Sequence, residues 1–266
     1  MHKDRQQNTL MKTGVHGIRR RSVSAEKGRK CMKEIRLCDN AMAHHVKELC
    51  DKYRVGIELQ TYFSTEYLRI NPRALLEREE LISGIGKRSL HSPVSGMRFE
   101  NIDAAARKEV ISKIEELCEC AGRLNCSDII LHRGYLPDTS DRARFLSDGA
   151  HFWNDVLQGR DKTQVFHFEN LYEPDPQLFS DYLSAVGHPG LDACLDIGHA
   201  HCHSEVPILD WIRILNRKIG YVHLHSNFGR TDEHLGLREG SIPVREVCEA
   251  LERYAPGAIW ALESQI

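Results

Sequence analysis

From Glu34 to the end of the chain, short apolar runs alternate with longer stretches of helical periodicity. Short runs bounded by polar or turn residues read as strands, and apolar positions recurring every third or fourth residue read as helices. Strands are predicted at Glu34–Cys38, Val55–Leu59, Lys87–His91, Asp128–His132, Thr163–Glu169, Asp192–Asp196, Gly220–His225 and Ala258–Glu263. Helices fall between them, near Ala41–Tyr53, Arg73–Ser83, Asn101–Leu124, Ser140–Leu157, Pro176–Val186, Ile208–Arg217 and Pro243–Tyr254. In the longest, Val110, Ile111, Ile114, Leu117 and Cys118 share one face. The helix at Pro176 follows Pro-Asp-Pro, a helix-start signal.

Six of these strands end in a potential metal ligand: His91, His132, Glu169, Asp196, His223 and Glu263. The ligands fall 27 to 41 residues apart, about the length of one strand, one helix and two loops, which is the rhythm of a parallel (β/α)8 TIM barrel of the α/β class. At the C-terminal mouth of such a barrel, side chains from successive strands point toward one axis, so residues far apart in sequence can meet one ion. Strand alternation puts His223 on one face with Tyr221 and His225, Glu169 with Val165 and His167, and Glu263 with Ala261, all compatible with the interior. Asp128, Asp161 and Asp192 sit near strand starts, at the opposite rim, where polar residues serve stability. Glu58, ending the second strand, either reaches the mouth or forms a salt bridge. Only Ser264, Gln265 and Ile266 follow Glu263, so the barrel is expected to lack its last helix. A second copy of the chain covering the gap, and hence a homo-oligomer, is one expectation; a truncated product is the other.

Composition narrows the class. With 266 residues, 41% hydrophobic, 28% charged and a mean hydropathy of -0.44, the chain can bury a large core and offers no membrane-spanning run. Nine cysteines without a CxxC pair, and no secretory leader, point to a reducing cytoplasmic setting. The net charge of -2 hides an asymmetry: residues 1–31 carry nine Lys/Arg against two Asp/Glu, a net of +7, leaving -9 for the remainder. That basic leader, including Arg19-Arg20-Arg21, reads as disordered. In order of preference it is a mis-start or vector extension, a targeting peptide, or a nucleic-acid arm, and the folded domain is expected to span 32–266.

Glu169, Asp196, His223 and Glu263 carry the clearest chemistry. Three carboxylates with one imidazole make a hard, mostly oxygen site suited to Mn, Mg, Co or Zn, unlike a closed structural zinc site. Buried without a cation the carboxylates would repel and take up protons, and a dication restores the balance. His91, His132, His199, Asp232 and His234 add five potential ligands. Nine groups exceed the needs of one ion, so either some contact substrate or several metals bind; one ion is expected and up to three are open. His167, His201 and His203 are read as structural or solvated.

The segments "LHSPV", "IILHRG", "FHFENLYEPD", "CLDIGHAH", "YVHLHSNFGRTDEHLGLREG" and "WALES", in this order over roughly residues 34 to 266, resemble the xylose isomerase-like TIM barrels. That group includes sugar phosphate isomerases and epimerases as well as endonuclease IV. The resemblance implies that Glu169, Asp196, His223 and Glu263 hold the metal of an isomerase or epimerase acting on a sugar, sugar phosphate or polyol. Glu169 and Glu263 would be acid and base around an enediolate, and His199 and His225 would bind hydroxyls. It equally implies a second branch, in which all nine ligands hold three zinc ions that cleave a phosphodiester. Two departures count against that branch: His225-Ser226 replaces a common Asp, and Arg238-Glu239-Gly240 replaces Gly-Glu-Gly. The acidic folded part is also ill suited to a duplex, which favours a small molecule over nucleic acid. Arg133, Arg230 and Arg238 adjoin ligand motifs and are candidates to hold a phosphate or carboxylate, against the commoner role of surface Arg. An inosose-type dehydratase and a non-catalytic sugar-binding barrel remain as alternatives.

Overall fold

Eight parallel strands are hydrogen-bonded in sequence order, and the last closes onto the first. They are β1 (Ile35–Cys38), β2 (Gly56–Leu59), β3 (Arg88–His91), β4 (Asp128–His132), β5 (Val165–Glu169), β6 (Leu191–Asp196), β7 (Ile219–Leu224) and β8 (Ile259–Leu262). This computed structural model describes residues 33–40, 43–93, 99, 102–133, 135, 141–158, 160 and 163–265, within a unit spanning Lys33–Ile266. The basic segment 1–31 lies outside the described residues, as does Asp161.

The helices packed around the barrel are α1 (Ala43–Tyr53), α2 (Thr65–Ile70), α3 (Ala74–Leu81), α4 (Ala104–Arg123), α5 (Arg142–Leu157), α6 (Pro176–Val186), α7 (Ile197–His203), α8 (Ile208–Leu215) and α9 (Val244–Tyr254). Side-chain caps start several of them. Asp103, Asp141 and Asp175 each accept a backbone N–H from the first turn, satisfying donors that would otherwise lack partners. The short helices α2 and α7 were not anticipated by periodicity, because six or seven residues span barely two turns. Ser64 and Asp196 cap them.

Two cores result from strand alternation. Outward residues such as Ile57, Leu90, Ile129, Leu131, Phe168, Leu195 and Val222 join the main apolar cluster beneath the helices. Inward, Cys38, Ile130, Cys194, Tyr221 and Ala261 fill the middle of the barrel. Among the described residues no helix follows β8, and an apolar cavity of about 420 Å³ lies there, lined by Ile35, Leu37, Leu49, Tyr53, Val55 and Leu262. No helix among the described residues is long and apolar enough to cross a membrane.

A buried polar network occupies the rim at the strand starts. The two ring nitrogens of His167 engage Asp192 and Asp128, the latter at 2.9 Å. Asp128 in turn accepts from the buried Arg36 guanidinium at 2.6 Å. Burial alone would lower the His167 pKa, but the two carboxylates override it and hold it up at about 9. Against an unfolded value near 6.5, this stabilisation is complete below about pH 6.5 and is lost as pH rises through about 9. His167→Leu should therefore cost roughly 3–5 kcal/mol at pH 6, with the gap to wild type narrowing toward pH 10. Urea melts of both proteins across that range provide the check.

Candidate metal centre

Strand parity brings the ligands predicted from sequence to the opposite rim. His91, His132, Glu169, Asp196 and His223 lie at or near the ends of their strands, and Glu263 follows β8 by one residue; all six are buried. Nδ1 of His223 lies 3.1 Å from Glu169 Oε1, 3.1 Å from Glu263 Oε2 and 3.6 Å from Asp196 Oδ2, so these four residues converge on one point. Further groups adjoin them, among them two that add other predicted ligands. His91 and His132 gather around the same Glu169, their Nε2 atoms 2.8 and 3.3 Å from its Oε2. His199, Asp232 and His234 form the second, with His199 Nε2 3.2 Å and His234 Nε2 2.8 Å from Asp232 Oδ2. The centre opens into a cavity of about 390 Å³ whose wall also includes Gln60, Leu171 and Tyr172.

The histidines are held in ligand-ready tautomers. Nδ1 of His91 donates to Ser92 O at 2.6 Å, Nδ1 of His199 to Asn170 O at 2.8 Å, and Nδ1 of His234 to Glu263 O at 2.9 Å. A carbonyl can only accept, so in the neutral ring each Nε2 keeps its lone pair, directed into a carboxylate cluster. Several buried polar atoms among the described residues find no hydrogen bond of good geometry, including Oε2 of Glu263 and both ring nitrogens of His132. Fixed imidazoles, converging carboxylates and unsatisfied donor atoms fit a hard divalent cation.

Local sequence explains how α7 and the loop after β7 carry their ligands. Asp196 ends β6 and caps α7, accepting from His199 N at 2.7 Å, which sets His199 one turn beyond it. His225 packs against that first turn because residue 198 is glycine: a Cβ there would lie 2.0 Å from the ring. His234 adopts the left-handed backbone, with φ of 50°, and stacks on His225 at 4.1 Å. Such conformations in non-glycine residues concentrate at functional sites.

Electrostatics separates the two glutamates. Burial favours the neutral acid in both, yet His132, His223 and His91 hold Glu169 well below the ordinary carboxylate range. For Glu263, burial and the neighbouring Asp196, Glu169 and Glu58 prevail over His223 and raise the pKa. His91 reaches about 9 because Glu169 outweighs its burial, and His234 reaches about 9 through Asp232 and Glu263.

Other predicted site residues fall elsewhere. Arg133 follows inward-facing His132, so alternation turns it outward; it is fully buried over Phe179, 3.7 Å from the ring centroid, and pairs with Glu173 at 2.5 Å. It sits in a buried ion pair and does not line the cavity at the mouth. Arg230 and Arg238 are exposed in the segment between β7 and α9 and do not line the cavity described above. His225 is buried with Nε2 3.1 Å from both Asp196 oxygens, so it orients that carboxylate. Sequence reading missed Asn170, whose side chain makes two 2.9 Å bonds with the Asp196 backbone. It also missed Gln60, which donates to Glu263. The signal for Gln60 was its parity with Glu58; Asn170 carried none beyond adjacency to Glu169.

Residues 42–265 match the family described as xylose isomerase-like TIM barrel. The chain is a member of that family. Among its relatives, the uncharacterized protein MJ1311 of Methanocaldococcus jannaschii is 22% identical over 186 residues, 66% of this chain and 64% of that protein. The chain thus spans under two thirds of the length of the curated relatives it matches. Among solved structures, the TTHB071 protein from Thermus thermophilus soaked with ZnCl2 superposes with a TM-score of 0.70 at 20% identity, covering 88% of this chain and 92% of that one. D-psicose 3-epimerase in the presence of D-fructose gives 0.68 at 15% identity, covering 88% and 86%. At these identities the likeness establishes the barrel fold.

Binding a dication requires neutral imidazoles and ionised carboxylates. Because the metal-free site holds His91 and His234 protonated up to about pH 9 and raises Glu263, loading must expel protons. Affinity for Mn²⁺ or Zn²⁺ is expected to rise from pH 6 toward pH 9, with proton release visible when calorimetric titrations are repeated in buffers of different ionisation enthalpy. A pH-independent affinity would contradict the ligand set.

Proposed function

We propose that this chain is a divalent-metal-dependent isomerase or epimerase of a sugar, sugar phosphate or related polyol. The observation that carries the reading is the convergence of Glu169, Asp196 and Glu263 on Nδ1 of His223 beneath an open cavity. Support comes from the fold shared with D-psicose 3-epimerase. A bound dication supplies charge stabilisation for substrate oxygens as the C–H between a carbonyl and a hydroxyl carbon is deprotonated. Glu169 and Glu263 come from β5 and the end of β8, three strands apart around the barrel, so a substrate lying over His223 meets a carboxylate on either side. One carboxylate removes the proton and the other returns one, to the neighbouring carbon or to the opposite face. Gln60 orients Glu263, Asn170 orients Asp196, and the His91 and His132 imidazoles hold Glu169. Tyr172, partly exposed on the cavity wall, offers an apolar face to the carbon skeleton. The described wall residues carry imidazoles and carboxylates rather than Lys or Arg, which favours an uncharged sugar end at the metal. A reducing, cytoplasmic setting is supported by the eight described cysteines, all free thiols.

A second reading has one specific observation behind it. Glu169 belongs both to the four-residue group and to the His91–His132 group, and His199, Asp232 and His234 form a third. Three adjoining groups are the layout of a multi-metal centre that activates water and stabilises a leaving phosphoester oxygen.

Elemental analysis of protein purified without chelator, combined with assays on ketohexoses and on abasic DNA, separates the two. About one ion per chain with proton exchange at a sugar carbon supports the isomerase, and Glu169→Gln or Glu263→Gln, assayed at saturating metal, should then lower kcat by at least roughly 10²-fold. About three zinc ions with DNA cleavage would replace it by the hydrolase. Chains that take up no divalent metal after soaking would refute both.

A further inference from the structure

His223 is anchored differently from the other histidines of the centre. His91, His199 and His234 each present Nε2 to the carboxylates and tie Nδ1 to a backbone carbonyl. His223 presents Nδ1, and its Nε2 faces Glu58, 3.1 Å from Oε1 and 3.2 Å from Oε2. Glu58 ends on the same inner surface because Cys38, Glu58 and Ser89 are register partners across β1, β2 and β3. It is fully buried, and Tyr221 donates to its Oε2 at 2.7 Å. Tyr221 lies two residues before His223 on the same face of β7, and its hydroxyl is 2.8 Å from Ser89 Oγ. The carboxylate from β2 is thus held beneath the imidazole by Tyr221 of β7, which Ser89 of β3 backs in turn.

We propose that Glu58 is a positioning residue that specifies the tautomer of His223: its carboxylate requires the proton on Nε2 and thereby turns the Nδ1 lone pair toward the ion held by Glu169, Asp196 and Glu263. Carboxylates, which can only accept, face both ring nitrogens; with an ion drawing the mouth carboxylates to itself, the hydrogen of the neutral ring goes to Nε2, where Glu58 accepts it. The Tyr221 hydroxyl restrains the carboxylate from rotating toward the mouth, where it would compete for the ion. A metal-binding imidazole held by a carboxylate on its far nitrogen is both oriented and made more basic. The competing arrangement is also explicit in the geometry. Cys38, Glu58 and Glu263 gather around His223 as a second group, and an ion there would make Glu58 a ligand.

This inference rests on the metal-centre reading, and the experiment separates the two. Wild-type protein and Glu58→Gln are titrated with Zn²⁺ by calorimetry, and long-range ¹⁵N–¹H correlations of the zinc-loaded wild type report which His223 nitrogen carries hydrogen. In the Glu58→Gln variant the amide carbonyl would accept from Tyr221 and the amide NH₂ would turn to Nε2, moving the ring hydrogen onto Nδ1. The expected results are Nε2–H in the loaded wild type and roughly 10- to 100-fold weaker zinc binding in the variant, with circular dichroism showing the metal-free variant folded at the titration temperature. Equal affinities would overturn the role of Glu58, as would a ring with Nδ1–H and zinc on Nε2. Wild-type protein that binds no zinc would instead refute the metal centre itself. Should Glu58→Gln fail to fold, the ring correlations of the wild type still decide between the two sides of His223.

Discussion

Closure of the parallel sheet, with Leu262 of β8 beside Leu37 of β1, forces every inward-facing strand end into one narrow mouth. Polar groups buried at those positions must then find partners largely on other strand ends, because the backbone is committed to the sheet. Burying an ionised carboxylate unpaired costs several kcal/mol, so the residues collected there can only be a mutually compensating set. Glu169 meets His91, His132, His199 and His223; Asp196 meets His225; Glu58 meets His223 and Tyr221.

The two rims of the barrel solve the same problem in different ways. At the strand starts, Asp128 and Asp192 hold both nitrogens of His167, and Arg36 completes the charge balance. At the mouth the balance is incomplete: Glu263 Oε2 and the His132 nitrogens lack good partners, and carboxylates crowd one another enough to raise the Glu263 pKa. Imidazoles and carboxylates also crowd the mouth beneath an open cavity, whereas the opposite rim pairs its carboxylates with His167 and Arg36, and that is why the mouth reads as the functional end. Backbone strain follows the same division, since His234 is held at positive φ where it stacks on His225 and ties its ring to the Glu263 carbonyl.

Family membership and metal-centre geometry answer different questions. The match over residues 42–265 places the chain among barrels of one construction, whereas chemistry depends on which donor atoms point into the mouth and how each is oriented. At this candidate centre the ring nitrogen turned away from the carboxylate cluster meets a backbone carbonyl in His91, His199 and His234 and the Glu58 side chain in His223. The glycine at 198 has a comparable part, since only a residue without a Cβ lets His225 approach the first turn of the helix that Asp196 caps.

Much of this was legible in the chain itself. The alternation of apolar runs and helical stretches determined a closed barrel, and a ligand at each of six strand ends determined a polar centre at its mouth, because strand parity and parallel order leave those side chains nowhere else to point. The same parity could have excluded Arg133, one residue past His132, and instead its charge beside a ligand motif suggested an anion site. The helices that Ser64 and Asp196 cap went unread, because six or seven residues carry too little periodicity to announce themselves. Only the tertiary structure decided partners across the barrel: that Glu58 lies under His223, that Gln60 reaches Glu263, and that Glu169 is shared between two groups. Those contacts join residues up to 203 positions apart, and their distances depend on strand register and barrel closure, which no local pattern of residues encodes.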